Sequence, residues 1–304
     1  MRVTIVGLLM LGTGAAGLAH GMESRFQKSV AADPHGSVQI TNVSGTIAVT
    51  GWDKPEVGVE ADVGSGVERI DVDNSKGRVA VKVVIPNHSF SSSSANLRVH
   101  VPRGSDVDAS GVSAEVSAEE VEGRLQLKTV SGNIRADVFQ KNTEIKTVSG
   151  EVVLHGRGKE PGTEGIHVST ISGNIRVDRA GGDLEATTVS GDLTLRLDHP
   201  AHEVRVRTTS GDVGFEGKLT KGGYLEAQTV SGDLSVRAVP EGSLEYEVNT
   251  FSGEIHNCMG VDSERVSKYG PGRRLNGTQG TPGSDPARIS LKSMSGDIEL
   301  CDRS

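Results

Sequence analysis

The chain has 304 residues, with 32 Lys and Arg against 40 Asp and Glu and a formal charge of −8 at pH 7. An acidic balance of this kind argues against nucleic-acid binding by charge. With only 3% aromatic residues there are few platforms for stacking bases or sugars, whereas 40 glycines suit a narrow, many-cornered β fold.

Residues 1–21 carry Arg2, an apolar run from Val3 to Leu18, and small residues at Gly17, Ala19 and Gly21. This pattern predicts a secretory signal peptide cleaved after Ala19 or Gly21, with no cysteine following that could accept a lipid. No later stretch is apolar enough to span a bilayer, so the mature chain is expected to have no transmembrane segment.

Residues 22–35 are polar and read as a flexible segment. Residues 36–109 read as an N-terminal β cap. Ser37–Trp52 gives a first strand pair, Val57–Val63, Val67–Val72 and Val79–Ile85 alternate as strands, and Leu97–Pro102 follows a serine-rich loop at Ser89–Ser94. A degenerate corner is expected at Ser110–Gly111.

From residue 110 to 304 one cassette recurs, with Thr at its head and a Ser-Gly pair at its centre. The pairs are Ser131-Gly132, Ser149-Gly150, Ser172-Gly173, Ser190-Gly191, Ser210-Gly211, Ser231-Gly232, Ser252-Gly253 and Ser295-Gly296. The first seven serines are spaced 18, 23, 18, 20, 21 and 21 residues apart. A unit of this length cannot bury its own apolar face, so neighbours must stack.

Six and four residues before the serine stand pairs such as Leu125 and Leu127, Leu184 and Ala186, or Val204 and Val206, with polar residues between them. Period two marks a strand with one face inside. After Ser-Gly comes Asn, Asp or Glu and then a second alternating run, as in Leu193 and Leu195. Gly permits positive φ at a corner, and Asx holds the bend by bonding nearby backbone. The reading is an all-β, single-chain β-solenoid of stacked repeats of about 20 residues, with like residues about 4.8 Å apart along its axis. A Gly/Pro-rich insertion at 259–287, containing Arg273 and Arg274, breaks the period and reads as a mobile loop or hairpin.

Cys258 and Cys301 each lie six residues after a cassette serine, Ser252 and Ser295. If those cassettes occupy adjacent rungs, the two Cα atoms fall within disulfide reach, and export supplies the oxidising compartment. Two free structural thiols are the alternative. The bridge would tie the last rung to the one before it and guard an open end that could otherwise pair edge to edge with another copy.

Candidate chemistry is thin. A serine hydrolase needs one Ser beside a His and an acid, and here the serine repeats without a matching His. The column Asn133, Glu151, Asn174, Asp192, Asp212, Asp233, Glu254 and Asp297 is the more serious candidate, since Asp192, Asp212 and Asp233 could hold calcium between rungs. Solvated turn-capping carboxylates explain the same column. His199 and His202 lie in a proline-containing turn, and no phosphate loop or zinc motif is present. No catalytic residue, metal or cofactor is therefore assigned.

The Val-x-Gly-Trp-Asp element at Val49–Asp53, the Val-Pro-Arg-Gly element at Val101–Gly104 and the Thr-Val-Ser-Gly-Asp-Ile cassettes together resemble the DUF4097 family of bacterial β-strand-repeat proteins. The resemblance covers residues 36–304. It implies a right-handed β-helical or β-solenoid domain, exported or envelope-associated, without established enzymatic activity.

The expected function is a non-enzymatic envelope or cell-surface protein, acting as an adhesin-like binding module or structural scaffold toward an envelope glycan or protein. An envelope-stress sensor is the alternative, and a β-helical glycan-processing enzyme the less favoured one. Lys128, Lys146, Arg205 and Arg207 are expected on a mixed polar outer face.

Overall fold

The structure is a computed structural model that describes residues 24–75, 77–86, 93–139, 141–157, 165–267, 270–280 and 285–302. The signal peptide expected at 1–21 and residues 89–92 of the serine-rich loop lie outside them. No described helix is long and apolar enough to cross a membrane.

The described residues form 24 strands in one sheet. The N-terminal seven are β1 (Ser24–Ala31), β2 (Ser37–Trp52), β3 (Glu56–Val63), β4 (Arg69–Ser75), β5 (Arg78–Val84), β6 (Ala95–Pro102) and β7 (Asp106–Glu119). The repeats supply β8 (Leu125–Lys128), β9 (Ile134–Val138), β10 (Thr143–Lys146), β11 (Val152–Gly156), β12 (Ile166–Ser169), β13 (Ile175–Ala180), β14 (Leu184–Thr187), β15 (Leu193–Leu197), β16 (Ala201–Arg207), β17 (Val213–Ser231) and β18 (Leu234–Pro240). Last come β19 (Leu244–Ser252), β20 (Ile255–Asn257), β21 (Glu264–Arg265), β22 (Arg273–Gln279), β23 (Ala287–Ser295) and β24 (Ile298–Cys301).

Each repeat places one strand in each of two parallel stacks. Strands before the corner stack as β7, β8, β10, β12, β14, β16 and the second half of β17. Strands after it stack as β7, β9, β11, β13, β15, the first half of β17 and β18. Between them an isolated bridge links Ser131, Ser149, Ser172, Ser190, Ser210 and Ser231 in order. The alternation read from the sequence decides what faces inward: Leu125, Leu127, Ile134, Ile145, Leu154, Leu193 and Leu195 are fully buried, and one apolar cluster runs through both stacks. Each such side chain contributes about 1.5–3 kcal/mol by leaving water.

The axial order of the rungs departs from the chain order at both ends. Ser295 pairs with Ser231 on one side and with Ser252 on the other, so β23 and β24 lie between the rungs of β17–β18 and β19–β20. The cassette nearest the C-terminus is therefore the penultimate rung, not the last. At the other end β2 lies between β7 and the pair β5 and β6. Equal position in the cross-section brings two cassettes together without saying which is outermost.

Three other sequence expectations are revised. The segment expected to be flexible contains β1, which pairs antiparallel with β3 over its whole length; its polar residues fit an edge strand wet on one face. The degenerate corner lies at Ser113-Ala114 and not at Ser110-Gly111, because Ala109 faces Leu127 and Val116 faces Ile134. The parallel array also reaches back into the expected cap, since Ser44 of β2 is in register with Ser113.

The insertion folds partly as a hairpin: β22 pairs antiparallel with β19 and with β21. It covers the edge of the outermost parallel strand, as β3–β6 and β4–β5 do at the other end. Antiparallel covering strands of this kind blunt an open parallel edge.

Candidate binding surface

The corner is held by three ladders that run from rung to rung. Its Thr is buried, and the hydroxyl donates to the carbonyl of the cassette glycine one rung back: Thr188 to Gly173 at 3.4 Å, Thr229 to Gly211 at 3.3 Å, Thr250 to Gly296 at 3.0 Å. Ser293 replaces Thr in one copy and makes the same bond to Gly232 at 3.3 Å. In these copies the hydroxyl satisfies an inward carbonyl, while Thr147 and Thr170 are buried at the same position without a hydroxyl partner.

The glycines are fixed by close approach. A Cβ on Gly150, Gly173, Gly191, Gly211 or Gly232 would stand 2.0–2.1 Å from the glycine carbonyl oxygen of the neighbouring rung. Gly191 also has φ +147°, outside the range that other residues adopt readily.

The Asx column forms the third ladder. Oδ1 of Asn133, Asn174, Asp192 and Asp212 accepts the backbone N–H of the same position on the next rung, each at 2.9 Å. Asp233 and Asp297 do so at 2.7 Å, following the spatial order through Asp297 to Glu254. Glu254, on the outermost rung, takes Arg273 of the covering strand at 2.9 Å. These carboxylates bond backbone amides, and among the described residues no group of three His, Cys, Asp or Glu side chains is placed to hold a metal ion.

The cassette serines are exposed and occupy equivalent corner positions, with their side chains on the outer ridge. Cys258 and Cys301 are joined in a disulfide with Cα atoms 4.9 Å apart, linking the outermost rung to the inserted one.

The largest outward feature is the residue just before each serine. Val43, Val112, Val130, Val148, Ile171, Val189, Val230, Met294 and Phe251 are all exposed, from 39% at Val43 to 62% at Phe251, and Thr209 fills the one remaining rung. In spatial order they form one column of ten rungs, about 43 Å long at 4.8 Å per step. Sequence reasoning passed over this column. Its signal was the parity of the repeat: positions six, four and two before the serine point in, so the position one before must point out, and it is apolar in nearly every copy.

The ridge has unlike flanks. On one side runs the column three residues before the serine, with Lys128, Lys146, Ser169, Thr187, Arg207, Gln228, Lys292 and Asn249. On the other lies the Asx column. Near the C-terminal end, Val189, Val230, Met294 and Phe251 line an open groove of about 510 Å³, with Arg207 and Lys292 on its rim.

The expected mixed polar face is present and internally paired. Arg207 bonds Glu226 at 2.6 Å, His167 Nδ1 lies 3.3 Å from Glu185, and Arg205 pairs with Glu203. Lys146, and then Gln126, donate to Glu144 and hold its carboxyl below the usual range. Glu144, Lys146, His167 and Glu185 border an open depression of about 430 Å³.

The Val49–Asp53 and Val101–Gly104 elements meet at an N-terminal corner. Arg103 reaches Asp53 at 2.9 Å and Glu120 at 2.5 Å, and a Cβ on Gly51 would stand 1.9 Å from the Glu120 carbonyl oxygen. The only Trp, Trp52, stacks on His100 and carries Lys54 over its ring, so both elements serve the fold.

The model of the Toastrack DUF4097 family matches residues 64–220 and 201–301 of this chain. No curated protein matches it. Among solved structures, a "putative lipid binding protein" from Parabacteroides distasonis ATCC 8503 is 11% identical over 91% of this chain and 98% of that one, with a TM-score of 0.43. A "putative adhesin" from Bacteroides fragilis NCTC 9343 is 9% identical over 93% and 98%, with a TM-score of 0.40. Another from Parabacteroides merdae ATCC 43184 is 14% identical over 92% and 97%, with a TM-score of 0.37.

Proposed function

This chain belongs to the Toastrack DUF4097 family, and we propose that it is a non-enzymatic protein of the cell envelope or cell surface that works as a rigid binding scaffold. The observation that carries this reading is the exposed aliphatic column from Val43 to Phe251. An exposed apolar residue on nine of the ten rungs makes a stripe rather than scattered single residues, and a stripe of that kind marks an interaction site. The hydroxyl and Asx bonds beneath it, with the close-packed glycines, fix the backbone of that stripe, so a partner meets a surface that loses little freedom on binding.

The reading of residues 1–21 as a signal peptide supports export. Repetition supports a binding role over catalysis, because every corner offers the same groups and no corner collects a nucleophile, base and acid of its own. The partner is a component of the envelope, a glycan or a protein, and a second copy of this chain is among the proteins that fit.

The test is retention of the purified chain, residues 22–304, on fractionated bacterial envelope, beside a Val130→Lys/Val148→Lys/Val189→Lys variant. These positions are exposed, so the variant should keep its fold and its melting profile. Retention of the native chain on a fraction that the variant no longer binds is the expected result. Equal retention of both, or turnover of envelope glycan by the native chain, would overturn the reading.

A further inference from the structure

Resting on that reading of the ridge, we propose that its partner is the same ridge on a second copy of the chain, the two arrays lying parallel with a twofold axis along the stacking direction. Three observations converge on this occupant. The first is period. The column repeats at the rung spacing of about 4.8 Å over ten rungs, and an identical column is commensurate with it along its whole length.

The second is charge. The flank three residues before the serine carries Lys146, Arg207 and Lys292, of which Lys146 also pairs with Glu144 and Arg207 with Glu226 within the chain, and on the same three rungs the Asx flank carries Glu151, Asp212 and Asp297. A twofold axis along the stack sets the first of these flanks on one copy against the Asx flank of the other, in register. Lys146 then faces the second copy's Glu151, Arg207 its Asp212 and Lys292 its Asp297, each twice. A twofold axis across the stack would instead set cation against cation, so the charges select the parallel arrangement.

The third is anatomy. The centre of the strip is apolar and its rims are charged, the usual arrangement of such contacts.

The test combines mass, crosslinking and charge reversal on the disulfide-intact chain, residues 22–304. Sedimentation velocity should show a dimer at micromolar concentration and a monomer for the Val130→Lys/Val148→Lys/Val189→Lys variant. In a parallel dimer every ridge residue meets its own copy, so Val112→Cys and Val230→Cys, made singly, should each give a disulfide-linked dimer on mild oxidation. An antiparallel dimer would crosslink neither, since both lie far from the middle rung. Lys146→Glu and Glu151→Lys should each weaken the dimer about tenfold, and mixing the two single variants should restore it, because each then supplies the charge the other lacks. Circular dichroism melts of all variants separate weakened association from weakened folding.

A chain that stays monomeric at tens of micromolar, dimers without crosslinks at both positions, or no recovery on mixing would each overturn the proposal. Ridge-dependent retention on envelope fractions would still stand in those cases, so failure of the dimer and failure of the binding reading are read from different experiments.

Discussion

Oδ1 of Asp192 accepts the backbone N–H of Asp212 at 2.9 Å, although both are acids on adjacent rungs. Two carboxylates about 4.8 Å apart repel by roughly 1 kcal/mol in water. The bond to a backbone donor offsets that repulsion and gives the column a structural use. The same geometry recurs from Asp212 to Asp233, so the useful property of these side chains is a short reach and an acceptor oxygen.

Asp212→Asn should therefore leave stability within about 0.5 kcal/mol of the native chain, while Asp212→Ala should cost about 1 kcal/mol by orphaning the Asp233 amide. Chemical denaturation of the three proteins checks this. Millimolar calcium should leave all three midpoints unchanged; a calcium-dependent rise in the native chain alone would give Asp192, Asp212 and Asp233 a metal to hold.

Gly191→Ala should destabilise by about 3 kcal/mol or more, because the new methyl stands 2.1 Å from the Gly173 carbonyl oxygen at a φ of +147°. Gly260→Ala supplies the contrast. There φ is +74° but nothing lies within 4 Å of the added carbon, so strain alone should cost about 1 kcal/mol. Thermal melts of the two variants should rank them in that order.

Replacing both cysteines, Cys258→Ser with Cys301→Ser, releases a cross-link that spans 43 residues. On the chain-entropy model the loss is about 4 kcal/mol. A lowered denaturant midpoint, together with a Cys258–Cys301 peptide in the non-reducing map of the native chain, is the expected pair of results.

Acid should weaken the outer face near Glu144. Its carboxyl is held below the usual range by Lys146 and then Gln126, so its stabilising contribution is complete above the unfolded pKa and is lost as pH falls through the lower, folded value. Glu144→Gln should consequently be less stable than the native chain at pH 7, with the gap closing in strong acid. Melting temperature against pH for both proteins reads this directly.

Much of this fold was legible in the sequence because the repeat fixes two things at once: the parity that sends Leu193 and Leu195 inward, and the equivalence that places Cys258 over Cys301. Axial order was not legible, since Ser252 and Ser295 carry the same cassette whichever of them is outermost. Gly111 suggested a corner, but the exposed Val112 and the Ser113 that follow carry the register. β1 escaped because Ser24–Ala31 reads as polar linker, and only its pairing with β3 gives it a strand's role. The ridge was visible in principle at Val130, Val148 and Val189, yet one Val beside a buried Thr looks ordinary until the rungs are aligned.

Because β23 sits between β17 and β19, the chain is assembled out of the order in which it is made. A ribosome delivers residues 244–257 before 287–301, so the outermost rung has no permanent seat until the later segment arrives. β2 waits in the same way for β5, β6 and β7. A chain that stops short of residue 287 would lack the rung that separates β17 from β19 and would leave Cys258 without its disulfide partner. Threading the ends in this manner makes completion of the polypeptide a condition for closing the fold.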